Sequence, residues 1–189
     1  MTRVQRFSCA ALACAAVLGL AACSGNAVKS DLGIADAPAW VNQGSQALND
    51  RDGRLIHGIG SAPEMNDLSL QTSTADERAR AEVARVLSSF MQVASQDYAA
   101  SSGMDKDRQN DASVSREIDN ITRQNVSGAR IIAHWRNPKT HTIWSLAELD
   151  MKSVKDMVAS SQAMNAGFKD YFAAHADNLF DGVANGAKP

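Results

Sequence analysis

The sequence predicts an α+β domain: a small antiparallel sheet of about three strands packed against one long helix and a C-terminal helix. Three observations carry this expectation. Two apolar-alternating runs flank Asn137-Pro138-Lys139-Thr140, the pattern of a β-hairpin over 126–149. Residues 74–98 hold an apolar stripe at helical spacing. Residues 54–61 alternate as a strand, with glycines recurring on one side. The 189 residues leave room for one domain with a tail. An apolar fraction of 44% rules out wholesale disorder. Nineteen Lys and Arg against twenty-one Asp and Glu give no basic excess, so nucleic acid is not an expected partner. Four prolines, five Phe, three Trp and two Tyr are too few for a Pro-rich or aromatic-girdled β architecture.

At the N-terminus, Arg3 and Arg6 precede an uncharged run from Phe7 to Leu20. Its length suits a signal-peptide core and is too short to span a bilayer as a helix. The run ends Leu20-Ala21-Ala22-Cys23, a leucine and two small residues ahead of a cysteine. This resembles the lipobox of bacterial lipoproteins. The resemblance implies that residues 1–22 are removed. It also implies that the Cys23 sulfur takes diacylglycerol and that its new α-amine is acylated, palmitate being the typical chain. Several acyl chains anchor a protein stably where one is marginal. Ser24, where an Asp would retain the protein at the inner membrane, implies the outer membrane, with the domain facing the periplasm or the medium. Cleavage would remove Cys9 and Cys14 and leave an alkylated Cys23. No disulfide is then expected, and the domain must stand on its core alone.

Residues 23–37 are small and polar without sustained period, which predicts a lipidated, flexible tether. The folded part, 38–160, opens at Pro38-Ala39-Trp40-Val41, with Trp40 an anchor onto the core. In the first strand Leu55, His57 and Ile59 share one face, and Ile56, Gly58 and Gly60 the other. Two glycines on one face leave room for a helix pressed against the backbone. They do not make a dinucleotide fingerprint, because Pro63 stands where a third Gly or Ala is needed.

Thr74-Ala75-Asp76-Glu77 reads as a capping box that starts the long helix. Ala79, Val83, Val86, Leu87, Phe90, Val93 and Ala94 form its buried stripe, and Ala75, Ala79 and Ala84 permit close approach to a sheet. Residues 101–113 are a polar loop, and Val114, Ile118 and Ile121 mark a short helix after it. The hairpin strands, 126–136 and 141–149, set Trp135 opposite Thr142, Ala133 opposite Trp144 and Ile131 opposite Leu146, an apolar face expected to be the core side. The other face carries Arg130, Ile132, His134 and Arg136, against Ala147, Ser145, Ile143 and His141. Asp150 is an expected N-cap, and a stripe from Val154 to Leu179 predicts one helix over 150–180, weakened by Gly167. Residues 161–189 are expected as a helical tail whose Phe168, Tyr171, Phe172 and Phe180 either pack on the core or dock a partner.

No catalytic signature stands out, and the sequence reads as a non-enzyme. Serines lack a nucleophile elbow or a Ser-x-x-Lys setting. Glu148 reads as a solvent-facing residue rather than half of a carboxylate pair with Asp150. His134 and His141 are diagonal neighbours on the expected hairpin, but Arg130 and Arg136 share that face, so solvated histidines fit better than a zinc pair. The candidate binding residues are Arg130, His134, Arg136, Lys139 and His141, a basic hairpin patch suited to an anionic cell-wall glycan. No cofactor is expected beyond the lipid on Cys23.

Ala37-Pro38-Ala39-Trp40-Val41, Gly58-Ile59-Gly60-Ser61-Ala62, Ala75 to Leu87, Gly128 to Trp135 and Thr142 to Leu149 occur in this order. With the lipobox, that order resembles the Lpp-twenty family of bacterial outer-membrane lipoproteins over roughly residues 37–158. The resemblance implies a non-enzymatic structural or assembly role in the cell envelope, such as in the flagellar basal disk, or a surface antigen. Its partners would be the outer membrane through the anchor, and either further copies of the chain or another envelope protein. The alternative is a periplasmic or surface module that binds a cell-wall or host ligand through the hairpin.

Overall fold

A computed structural model describes residues 32–48, 54–102, 116–123 and 128–184. The expected signal segment, Cys23, the tether up to residue 31, most of the polar loop and the start of the first hairpin strand lie outside the described residues. The chain runs through helix α1 (Ala39–Gln43), a 3-10 turn (Gly44–Ala47), strand β1 (Leu55–Ala62) and the long helix α2 (Leu68–Ser102). A helical stretch at 116–123, α3, follows. Then come β2 (Arg130–Arg136), β3 (Ile143–Asp150), α4 (Met151–Ser160) and α5 (Ala166–Ala184). The three strands form one antiparallel sheet in the order β1-β3-β2. The α+β architecture is the one the sequence predicts.

α2 lies across one face of the sheet because small residues line the middle of that face. Ile56, Gly58, Gly60 and Ala62 of β1 stand opposite Leu149, Ala147, Ser145 and Ile143 of β3. A Cβ at Gly58 would meet the Val83 amide nitrogen at 2.7 Å and the Ala79 carbonyl closer still. One at Gly60 would meet the Ala75 carbonyl at 2.6 Å. Gln71, Ala75, Ala79, Val83 and Leu87, spaced one helical turn apart, are the buried line of α2 that fits this trough.

The helix starts earlier than its sequence signature suggests. Asp67 is the cap: its carboxylate accepts the Leu70 amide at 3.0 Å and its carbonyl accepts Gln71. Thr74, the expected cap, lies inside the helix, where its hydroxyl donates to the Leu70 carbonyl at 2.8 Å. Threonine satisfies itself by this back-bond, so the same motif is tolerated mid-helix. The buried Gln71 amide donates to the carbonyls of Ala62 and His141, joining the end of β1, the helix and the hairpin turn.

The hairpin pairs two residues away from the expected register: Trp135 faces Trp144 and Ala133 faces Leu146. The turn is longer because Asn137 organises it. Its N–H donates to the Thr142 carbonyl, and its side chain accepts the amides of Lys139 and Thr140. His141 closes it in the left-handed region at φ 53. A shift of two keeps every side chain on its face. A bulge between Ile131 and Ala133 then shifts the pairing by one, so Ile131 faces Ala147 and Arg130 faces Glu148.

The main core is on the face opposite to the expected one. Trp135, Ala133, Trp144 and Leu146 point away from α2, whereas Ile56, Ala147 and Leu149 join the main cluster under the helix. Close packing of α2 needs small residues beneath it, and Gly58, Gly60, Ala62, Ser145 and Ala147 lie together on the other face.

The 3-10 turn lies against β1, an edge strand of the sheet. Val41 of α1 and Leu146 of β3 are each 2% exposed, outside the main cluster. Residues 32–37, expected as part of a flexible tether, fold back on α1. The Leu32 amide donates to the Asn42 carbonyl, and the Asn42 side chain exchanges hydrogen bonds with the Ile34 backbone at 3.0 Å.

Asp150 caps α4 as expected, accepting the Lys152 amide at 2.8 Å. The single C-terminal helix is two. The chain breaks at 161–165, where Ser161 accepts the Met164 amide and Asn165 accepts the Phe168 amide. Gly167 is the second residue of α5, and a Cβ there would meet the Tyr98 hydroxyl at 2.5 Å. α5 is part of the core rather than a tail. Phe168, Phe172 and Ala176 are fully buried with Met91, Val154 and Val158. Phe90 meets Phe172 and Phe180 edge-on, at 6.1 and 5.9 Å between ring centres. Arg54, just before β1, forks onto Asp181 at 2.7 and 2.8 Å, and Asp177 joins Lys155 at 2.9 Å. No helix among the described residues is long and apolar enough to cross a membrane.

Candidate functional site

The five hairpin residues do not form one patch. The bulge turns Arg130 onto the second face, where it reaches Glu148 at 3.1 Å. His134 and Arg136 stay on the α2 side. His134 Nε2 is 2.7 Å from Asp76 Oδ1 of α2. His141, in the turn, sets Nδ1 2.6 Å from Glu64, and Arg136 approaches the same carboxylate at 3.9 Å. Lys139 is exposed at the tip of the turn. Four of the five are thus engaged by the chain's own carboxylates. His134 and His141 address different ones, so they are not arranged to share an ion.

The carboxylates are the residues that sequence reading misses. Asp76 lies 58 positions from His134, and Glu64 lies 77 from His141. No local spacing signals pairs so distant. Glu148, expected to face solvent, has a side chain only 15% exposed, between Arg130 and His57 Nε2 at 3.4 Å. The strand pairing brings both to it, since His57 and Arg130 flank Glu148 in the register.

Asp76 Oδ1 also accepts the Ser145 hydroxyl at 2.7 Å. Serine, histidine and aspartate therefore meet, but in an order unsuited to nucleophilic catalysis. A hydrolytic relay places the imidazole between the serine and the acid. Here the acid is between them, and Ser145 has no exposed surface. The cluster fastens β3 and β2 to α2.

A groove of about 350 Å³ runs between α2 and α3, lined by Ser88, Gln92, Ser95, Gln96, Ala99, Ile118 and Asp119. It offers amides and hydroxyls with a single carboxylate, a set suited to hydrogen bonding and without a general-acid and base pair. On the adjoining surface the Tyr171 hydroxyl donates to Asp97. Burial, and then that carboxylate, push the Tyr171 pKa up to about 12. Ser161 and Asn120 hold the Glu117 carboxyl below its ordinary value.

No protein-family model matches the chain, and no curated protein matches it.

Proposed function

We propose that the protein is an outer-membrane lipoprotein, anchored through lipid on Cys23, that acts as a non-enzymatic structural or assembly component of the cell envelope. The observation that carries this reading is Leu20-Ala21-Ala22-Cys23 at the end of a short, uncharged segment behind two arginines. The order of motifs resembling the Lpp-twenty family supports the assembly role and names the flagellar basal disk as the machinery to examine first.

The arrangement of the hairpin favours this reading over a module that binds an anionic ligand. Arg130, His134, Arg136 and His141 already face internal carboxylates and are divided between two sides of the sheet. An incoming anion would have to displace those partners, and of the five hairpin residues only Lys139 offers a charge not already set against a carboxylate.

The test is metabolic labelling with a palmitate analogue, in cells making the wild type or Cys23→Ala. Label on the wild type and not on the variant, with wild type alone in the outer-membrane fraction, is the expected result. An unlabelled, fully soluble wild type would overturn the anchor. Swimming and basal-body imaging of a deletion strain then test the assembly role. Motility restored by wild type and not by Cys23→Ala supports it, and normal swimming of the deletion strain removes the flagellar assignment.

A further inference from the structure

We propose that the outer edge of β2 pairs antiparallel with the same edge of a second copy, about a two-fold axis through His134, so that two sheets join into one. β2 is bonded to β3 on one side, and among the described residues no strand lies beyond it on the other. No main-chain hydrogen bond among the described residues closes that outer side. Arg130, Ile132, His134 and Arg136 are all exposed, Ile132 to 45%. The opposite edge differs: β1 has no exposed residue, and the 3-10 turn lies against it. An open edge is a ready template for another strand, and charges or bulges commonly blunt it. Here the bulge precedes Ala133, and 133–136 keep a regular pairing with β3 beyond it.

The hairpin ladder says which groups the edge offers. The Asn137 amide donates to the Thr142 carbonyl at 2.9 Å, so these two are a hydrogen-bonded pair. Bonded and non-bonded pairs alternate along an antiparallel ladder. Trp135–Trp144 and Ala133–Leu146 are then bonded pairs as well, and His134 and Arg136 turn their N–H and C=O outward. A two-fold axis through His134 lets the two copies of that residue exchange both main-chain bonds. Side chains stand out of the ladder plane, and Asp76 holds the His134 ring on the α2 side. In this register Trp135 lies opposite Ala133 of the second copy, on the same face, where a small residue admits the indole. Arg136 lies opposite Ile132 of the second copy. Neighbouring registers are worse, because like charges directly opposite destabilise a sheet. Centring on Ala133 sets Arg136 against Arg130, and centring on Trp135 sets it against His134. The occupant is therefore this chain itself, through one self-complementary patch. The inference does not rest on the lipid-anchor reading.

Cross-linking of the full-length chain in mild detergent tests the pairing. Cys9, Cys14 and Cys23 are the only cysteines, and replacing all three with serine gives a thiol-free background that cannot be lipidated. The result is then independent of the anchor. Bonded antiparallel pairs hold their Cα atoms about 5.5 Å apart, within reach of a disulfide. His134→Cys in this background is expected to form a disulfide-linked dimer on mild oxidation. Lys139→Cys, exposed in the turn and off the edge, is expected to stay monomeric. No link at 134, or equal linking at both positions, overturns the proposal. One strand pair is a small interface of the weak, transient class. Sedimentation of the thiol-free chain should therefore show a dimer that grows with concentration up to about 1 mM. Arg136→Pro removes an outward N–H and leaves the bonds to β3, as proline on an edge strand does. It is expected to abolish the dimer with far-ultraviolet dichroism unchanged. Should His134→Cys lose the fold, sedimentation decides. A thiol-free chain that stays monomeric throughout, or a dimer that Arg136→Pro retains, overturns the inference.

Discussion

Gly58 of β1 lies directly beneath Ala79 of α2, with no room for a side chain between the strand and the helix backbone. Relief would require the helix itself to shift, because the two nearest atoms in the way are main-chain. Gly58→Ala is expected to destabilise the domain by about 1–3 kcal/mol or more, as overpacked cores do. Gly128, which has open space where its Cβ would stand, is the control. Gly128→Ala should change stability by less than about 1 kcal/mol. Urea unfolding of both variants measures the difference, and equal midpoints would contradict the close contact.

Asp76 serves two partners through one oxygen, and one of them, Ser145, is wholly buried. Asp76→Ala strands that hydroxyl and should cost about 1–3 kcal/mol. His134→Ala removes a partly exposed partner and should cost under about 1 kcal/mol. Ser145→Ala should also be the milder change, since Asp76 keeps His134. A Ser145 variant as unstable as the Asp76 variant would mean that packing, rather than the hydrogen bond, sets the cost.

Phe168 and Phe172 of α5 stack at 5.7 Å, and both are buried. Phe168→Ala is expected to destabilise the whole domain by about 3–5 kcal/mol. The loss should appear in a single cooperative transition seen by far-ultraviolet dichroism and by tryptophan emission alike. A transition of unchanged midpoint, with only helical signal lost, would show α5 to be an independent appendage.

Tyr171 should ionise near 12, since burial and the Asp97 contact both favour its neutral form. Absorbance at the tyrosinate band, titrated in a Tyr98→Phe background, isolates it. Asp97→Asn is expected to bring the value part of the way back toward the ordinary tyrosine value of about 10. The linkage follows from the direction. A raised folded pKa means that the contribution of Tyr171 to stability is complete below about pH 10 and is lost as pH rises through about 12. A midpoint near 10 in both proteins would dissolve the assigned environment.

The carboxylates Glu82, Glu117 and Asp181 have the opposite sign. Arg85 depresses the first, Ser161 and Asn120 the second, and Arg54 the third. Their contributions are present above the unfolded values of about 3.9–4.3 and fade as pH falls through the lower folded ones. Stability measured between pH 6 and pH 3 should therefore decline mainly below about pH 4, and Asp181→Asn should flatten part of that decline. An unchanged profile in that variant would place the acid sensitivity elsewhere.

Local chemistry was legible in the residues themselves. The bare glycine face of β1, the buried alanines of α2, the hairpin and the Asp150 cap each follow from backbone sterics or from hydrogen bonds spanning a few positions. These determine the elements, their periods and the face on which α2 lies against β1. They also carry the N-terminal motif, whose meaning is chemical rather than structural.

Tertiary structure decided the rest, because the deciding partners are distant in sequence. Asn137 lengthens the turn, and the bulge near Ile132 moves Arg130 across the sheet; neither changes the alternating pattern on which the expected register rests. The tryptophan face looked like a core because it is apolar, yet the larger core formed where side chains are small enough to admit a helix backbone. The basic hairpin residues looked available because charge is read along the chain. Asp76, Glu64 and Glu148 reach them only after folding, and Coulomb attraction acts through space.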